Sequence, residues 1–314
     1  PRQVVRGIFR VNVTATDALS NVSGLLFAFN GSQNFTMNRT GPEITSDYFF
    51  DWNTTNASNA EHIIKIFGND TANNIKFEPR FAIVDNLAPA IRLESPSNDS
   101  WSVAKLVSFR FTPDENQQFN NCTLLINGTI NATLLQSSLV NGSINTFSVN
   151  LSDGYYRWTV NCSDEAVDAN LTRNTGTNST ELLLGVDTVI PRINMSLNDT
   201  TLVRFDGANA TANLSDESGL SFCQFIINQT GARQFFNKSI TGTGDQCSQN
   251  FTISVGSGNA INFTVIVNDT ANNVNQSTQV ITVIDNVLPR INMSINDSSV
   301  EQNEAVNATA NVTD

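Results

Sequence analysis

The chain has 314 residues and a net charge of −12, with 39% hydrophobic and only 15% charged residues. A polyanion does not neutralise phosphates, which disfavours nucleic acid and anionic membrane surfaces as partners. With one histidine, no nucleophile elbow and no Gly-rich phosphate loop, the sequence offers no catalytic constellation and points away from an enzyme.

Taken in chain order, the sequence repeats itself. "VDNLAPAI" begins at Val84, "VDTVIPRI" at Val186 and "IDNVLPRI" at Ile284, each an apolar residue, Asp, three residues and Pro. The spacing divides the chain into units 1–86, 87–188, 189–286 and 287–314, the full ones of β-sandwich size. In the first unit, "VNVTATD" from Val11 to Asp17 matches the second strand of the later units. Pro1 precedes Val11 by ten residues, whereas Pro191 precedes Ala210 by nineteen, so a proper first strand is doubtful there. "GNDTANN" from Gly68, "NCSDEAVDAN" from Asn161 and "VNDTANN" from Val267 read as turns between the last two strands of each unit.

Between turns, residues alternate with period two. Tyr156, Trp158, Val160 and Cys162 share one face in the second unit; Ala210, Ala212 and Leu214, and Phe263, Val265 and Val267, do so in the third. Such alternation belongs to half-buried antiparallel strands, and no convincing amphipathic helix interrupts it. The expected fold is all-β: tandem immunoglobulin-like β-sandwiches in a linear array. No apolar run reaches the roughly eighteen residues that span a bilayer. His62, in "NAEHIIKIF", is expected at a surface or strand edge.

The C-terminal unit carries "PRINMSINDSSVEQNEAVNATANVTD", which aligns without a gap to "PRINMSLNDTTLVRFDGANATANLSD" from Pro191 and then stops. Two readings stand. The chain is a window on a longer tandem array, or the strand near Ile291 to Ile295 completes the first domain of another copy, joining subunits head to tail. Strand addition supplies a row of backbone hydrogen bonds, and a heterologous contact that does not close makes a filament. A lone pair of strands is marginal in water.

Asn-x-Ser/Thr sequons are far more frequent than composition alone gives. They fall at Asn12, Asn21, Asn30, Asn34, Asn38, Asn53, Asn56 and Asn69 in the first unit. The second has Asn98, Asn121, Asn127, Asn131, Asn141, Asn150, Asn161, Asn170 and Asn178. The third has Asn194, Asn198, Asn209, Asn213, Asn228, Asn237, Asn250, Asn262, Asn268 and Asn275, and the last Asn292, Asn296, Asn307 and Asn311. Asn12, Asn209 and Asn262 share an outward face with Thr14, Thr211 and Thr264, where covalent N-glycans would solubilise a surface poor in charge and blunt sheet edges. The competing reading is polar filler.

Cys122 and Cys162 fall in the second unit and Cys223 and Cys247 in the third, which favours one disulfide within each unit over cross-pairing or zinc. Disulfides and sequons together imply an extracellular location. Carboxylates gather where the chain enters a sandwich. Asp85 and Asp187 precede the second and third units; Asp114, Glu115, Asp164 and Asp168, and Asp216, Glu217 and Asp269, lie on turns at the same end. Such oxygens can hold calcium, with plain turn capping as the alternative.

"SDGYYRWTVNCSD" from Ser152, the "NDTANN" turns and the "VDTVIP" linker resemble the tandem Ig-like (bacterial-Ig and cadherin-like) repeats of large archaeal cell-surface or filament proteins. The family turn often reads Asp-x-Ala-Gly-Asn, from which "NDTANN" and "DEAVDAN" depart. The resemblance implies an exposed stalk, adhesin or filament without an active site. The expectation is therefore a glycosylated extracellular filament or stalk subunit whose partners are copies of itself or a continuation of the same chain. Alternatives are a cell-surface adhesin or carbohydrate-binding array, with Trp52 and Trp101 as candidate loop aromatics unless both belong to a sandwich core, and a surface-layer protein.

Overall fold

A computed structural model describes residues 2–40, 45–178, 180–229, 231 and 233–313; Pro1 and Asp314, the ends of the first and last units, lie outside them. The fold is all-β, built of immunoglobulin-like sandwiches. The chain divides into two compact units, Pro1–Val186 and Asp187–Asp314.

The first unit holds two sandwiches. One is made of β1 (Gln3–Val5), β2 (Ile8–Thr16), β3 (Val22–Phe29), β4 (Phe35–Thr36), β5 (Asn38–Arg39), β6 (Thr45–Asn53), β7 (Glu61–Asp70) and β8 (Ile75–Val84). The other is made of β9 (Ala90–Ser95), β10 (Ser100–Ser102), β11 (Leu106–Asp114), β12 (Phe119–Ile126), β13 (Thr129–Leu135), β14 (Asn145–Asn150), β15 (Gly154–Val167), β16 (Arg173–Thr177) and β17 (Leu182–Val186). In the first, the sheet β2-β6-β5 faces β1-β8-β7-β3-β4; in the second, β14-β11-β9 faces the strands around β15. Strand β1 runs parallel to β8 and meets β15 at Val5 and Val167, so one sheet continues through both sandwiches.

The second unit holds β18 (Arg192–Leu197), β19 (Gly207–Ser215), β20 (Leu220–Asn228), β21 (Arg233–Ser239), β22 (Gly244–Thr252), β23 (Ala260–Asp269) and β24 (Val274–Thr282). They form the sheets β18-β19-β22 and β21-β20-β23-β24. A hairpin of β25 (Arg290–Ile295) and β26 (Ala308–Thr313) forms a separate two-stranded sheet.

Period-two alternation places one face of each strand in a core. In β19, Ala208, Ala210, Ala212 and Leu214 are buried, and in β23 so are Ile261, Phe263, Val265 and Val267. The second core centres on Phe109, Phe111, Leu124 and Trp158, and the first on Phe27, Trp52, Ile64 and Val84. Burying such side chains contributes about 1.5–3 kcal/mol each before entropic costs.

The turns explain the departures from Asp-x-Ala-Gly-Asn. Asn73 and Asn272 have φ of 67° and 71°, in the left-handed region where Asn is the best substitute for Gly. Leu171 occupies that region in the second domain, at 62°.

One single-residue expectation is corrected, that of His62, and for two tryptophans the structure decides between the readings. His62 is buried, not at the surface: its ring lies edge-on to Phe29 and Trp52. Asn30 Oδ1 accepts the Ile63 N–H, so Asn30 Nδ2 donates to His62 Nδ1, and His62 Nε2–H donates to the Ser58 carbonyl. Trp52 is 1% exposed, because alternation along β6 turns it into the core beside Phe27. Trp101 is half-buried in β10, edge-on to Tyr155 and against Gly185, where any Cβ would collide with its ring. Neither tryptophan is an exposed loop aromatic.

Candidate functional site: an open sheet edge and buried carboxylate triads

In two of the three sandwiches an edge strand covers the neighbour of the central strand. Strand β9 pairs antiparallel with β11. Strand β18 pairs with β19 from Arg192 opposite Ser215 to Leu197 opposite Ala210. Side chains of β24 hold β18 from the other sheet: Asn275 Nδ2 donates to the Pro191 carbonyl at 2.7 Å and Gln279 Nε2 to the Met195 carbonyl at 3.2 Å.

In the first domain that edge is bare. Strand β2 pairs with β6 along its whole length, and among the described residues no strand pairs with its other edge. The result is a groove of about 730 Å³ beside β2. Val11, Val13 and Ala15 line it from β2, and Leu25, Ile64 and Ile66 line its floor. Val11, Val13 and Ala15 stay partly exposed, whereas Ala210, Ala212 and Leu214 under β18 are at most 4% exposed. Lys76 and Arg80 of β8 also line the groove. They stand at the positions of Asn275 and Gln279, because Asn69 opposite Ile75 matches Asn268 opposite Val274.

Hairpin β25–β26 has the complementary defect. Its register, Ile291 opposite Val312 and Met293 opposite Ala310, repeats that of β18 and β19. Yet Met293 is 70% exposed where Met195 is 8% exposed, and Ile291 and Ile295 are exposed too.

Two carboxylate triads are buried. In each, one oxygen from every member lies within 4.8 Å of the others: Asp85, Glu115 and Asp164, and Asp187, Asp216 and Asp269. Their construction is the same. The linker Asp closes an Asx turn, Asp85 Oδ1 accepting the Leu87 N–H and Asp187 Oδ1 the Val189 N–H. Glu115 Oε1 accepts the Gln117 N–H and Asp216 Oδ1 the Ser218 N–H. The third member leans on an Asn: Asn174 Nδ2 donates to Asp164 Oδ2 at 2.7 Å and Asn273 Nδ2 to Asp269 Oδ2 at 2.9 Å. Each of these amides also donates to the linker carbonyl, of Asp85 at 3.0 Å and of Asp187 at 3.1 Å.

What remains is unpartnered. Asp85 Oδ2, Glu115 Oε2 and Asp187 Oδ2 are buried without a hydrogen bond. Burial pushes the Glu115 carboxyl up to about 7, aided by the charges of Asp85 and Asp164. Burial likewise raises Asp164 to about 6, with Asp85 adding to it, and raises Asp269 beside Asp187 and Asp216.

Of the sequence candidates, Asp85, Glu115 and Asp164 come together, as do Asp187, Asp216 and Asp269, and Asp168 and Glu217 do not join them. Glu217 and Asp114 are exposed. Asp168 Oδ1 instead accepts the Asn170 and Thr172 N–H groups and caps its turn. Strand β15 runs three residues past Asp164, so turn capping and triad membership fall to different residues there. In the third domain Asp269 performs both roles, since its Oδ1 accepts the Asn273 N–H.

None of the sequon asparagines is buried; Asn121, Asn161, Asn178, Asn209, Asn228, Asn268 and Asn275 are half-buried and the others exposed. Cys122 is disulfide-bonded to Cys162 and Cys223 to Cys247. The first joins β12 to β15 within one sheet, and the second crosses from β20 to β22 between sheets. Closing loops with sequence separations of 40 and 24 contributes about 3–4 kcal/mol each in the chain-entropy view. Among the described residues, no helix is long and apolar enough to cross a membrane.

No protein-family model matches the chain, and no curated protein matches it. Solved structures of similar fold include an ICAM-5 D1–D4 ectodomain fragment, 11% identical, covering 98% of this chain and 80% of that one at a TM-score of 0.44. A 1.5-MDa bacterial ice-binding adhesin is 15% identical, covering 90% of this chain and 93% of that one at 0.39. A tetra-tandem repeat from the extending region of a large adhesion protein is 13% identical, covering 96% and 83% at 0.34.

Proposed function

We propose that this chain is a non-enzymatic structural subunit of an extracellular filament or stalk, joined head to tail by strand donation. Strand β25 of one copy lies against β2 of the next. The observation that carries this reading is the groove beside β2, which has the place and lining that β18 fills beside β19. Aligning "VNVTATD" with "ATANLSD" puts Val11, Val13 and Ala15 at the positions of Ala210, Ala212 and Leu214. The donated strand then sets Ile295 opposite Val11, Met293 opposite Val13 and Ile291 opposite Ala15. Lys76 and Arg80 take over the role of Asn275 and Gln279, donating to carbonyls of the incoming strand. Strand β2 replaces β26 as the partner of β25, so a marginal hairpin is exchanged for the edge of a complete sandwich.

The sequons give this subunit an N-glycan coat. Most of them are exposed in every sandwich, and bulky sugars there solubilise a surface with few charges. With Trp52 in the core and Trp101 half-buried in β10, neither is the exposed loop aromatic that a carbohydrate-binding reading called on.

A cross-link tests the donation. Thr14→Cys and Asn292→Cys place two thiols opposite each other on the outward face of the donated pair, and remove the sequons at Asn12 and Asn292 that would shield them. Mild oxidation of the double variant is expected to give a ladder of covalent multimers that neither single variant gives. Only monomers from the double variant would overturn the reading.

A further inference from the structure

We propose that each triad binds one divalent cation of the calcium class, and that a third such site is divided between the two ends of the chain. Three carboxylates with one oxygen each inside 4.8 Å are costly to bury side by side, and Asp85 Oδ2, Glu115 Oε2 and Asp187 Oδ2 have no donor to offset that cost. Asp85 is fully buried, and Glu115 and Asp187 are each 6% exposed. A hard cation is the ligand that satisfies such oxygens, since calcium takes oxygen ligands from carboxylates and carbonyls in flexible geometry. Both triads join a linker Asp to two carboxylates of the domain that follows, so the cation ties the linker to that domain.

The same three parts recur a third time, in separate places. In the first domain, Asp17 Oδ1 accepts the Leu19 N–H as Asp216 accepts that of Ser218. Asp70 Oδ2 accepts from Asn74 Nδ2 at 2.7 Å as Asp269 does from Asn273, and Asp70 is buried. Hydrogen bonds from the Ser20 and Leu19 N–H groups hold the Asp17 carboxyl, and those from Asn74 the Asp70 carboxyl, below the usual range. No linker Asp precedes them in the described residues. Asp285 is a linker Asp with no such pair among the described residues: its Oδ1 accepts the Val287 N–H, in the turn that Asp85 and Asp187 make, and it is exposed. Asp285 lies six residues before Ile291, as Asp187 lies six before Ile193. When β25 seats against β2, Asp285 therefore arrives beside Asp17 and Asp70 of the next copy, and Asn74 meets its carbonyl. This third member rests on the head-to-tail reading; the two complete triads do not.

Calcium chloride titrated calorimetrically into the chelator-treated chain, diluted until it is monomeric, is expected to fill two sites. Asp187→Asn reduces that to one, and adding Asp85→Asn abolishes it; Asp168→Asn and Glu217→Gln leave it at two. Circular dichroism and melting in chelator show whether the variants remain folded. If Asp187→Asn does not fold, the milder Asp216→Asn, read by its weakened calcium affinity, takes its place. In assembled material the count rises to three per subunit, and Asp285→Asn returns it to two and removes the calcium dependence of assembly. Absence of calcium binding and of a calcium-induced rise in melting temperature in the wild-type chain overturns the proposal, even if subunits assemble. Two sites per monomer with no assembly leaves the triads standing and refutes the head-to-tail reading with its third site. Assembly with two sites per subunit refutes the divided site alone.

Discussion

The edges beside β19 and β2 are made from nearly the same pattern, and one is covered while the other is open. Under β18, small residues suffice: Ala210 and Ala212 are fully buried because Met195 and its neighbours lie over them. Beside β2 the corresponding Val11 and Val13 are larger and still partly exposed. A bare sheet edge with an apolar groove is a template for another strand, and natural sheets otherwise blunt such edges. The difference is that no described strand lies beside β2 where β18 lies beside β19, while β25 repeats the pattern of β18 with its apolar face exposed.

The comparison breaks most sharply if the donor is removed. A chain ending at residue 286 is expected to remain monomeric at concentrations where the full chain associates, as sedimentation velocity would show. A Met293→Asp variant is expected to weaken association by at least 100-fold, since it sets a charge against Val13 and the groove floor in place of a buried methionine. Unchanged association of either would remove β25 from the contact. The converse experiment fills the groove from within. Placing a second copy of residues 289–297 and a short flexible linker ahead of Pro1 should block association and raise the melting temperature of the first domain. Three apolar side chains are buried by it, at about 1.5–3 kcal/mol each as an upper bound.

A smaller effect concerns the linker of the first unit. The Pro89 carbonyl lies against Gly176 of β16, where a Cβ has no room. Gly176→Ala is expected to destabilise that unit by about 1–3 kcal/mol in urea unfolding, through displacement of the linker. The smallest is a pH effect. The folded Glu115 carboxyl, near 7, and Asp164, near 6, bind their protons more tightly than in the unfolded chain, where the ordinary values are 4.5 and 3.8. Their contribution is fully present below the unfolded values and is lost as pH rises through the folded ones. In chelator, the first unit should therefore melt higher at pH 5 than at pH 8, and saturating calcium should flatten that slope. Asp70, held low by Asn74, acts in the opposite direction only below its ordinary value of 3.8, outside this window.

Much of this was legible in the residues. Alternation in "VNVTATD" and "NFTVIVND" names the core faces. The triads were half legible. Asp85, Asp187, Asp216 and Asp269 stand at repeated positions, but the extension of β15 past Asp164 separates two roles that one residue plays in the other domains. Asp114 and Glu115 stand side by side, and the sequence alone does not say which of them corresponds to Asp216. The register decides it, because Phe119 opposite Asp164 corresponds to Leu220 opposite Asp269, and Glu115 and Asp216 each lie four residues earlier. His62 was missed because its burial depends on which strands pack across the sandwich, which no local pattern states.

A cryo-electron microscopy map of native material, traced beside β2, tests the central claim most directly. The account predicts a strand in the groove with the side chains of residues 290–295, Met293 opposite Val13, belonging to a separate chain. A strand there that runs continuously into Pro1, or an empty groove in assembled material, would contradict it.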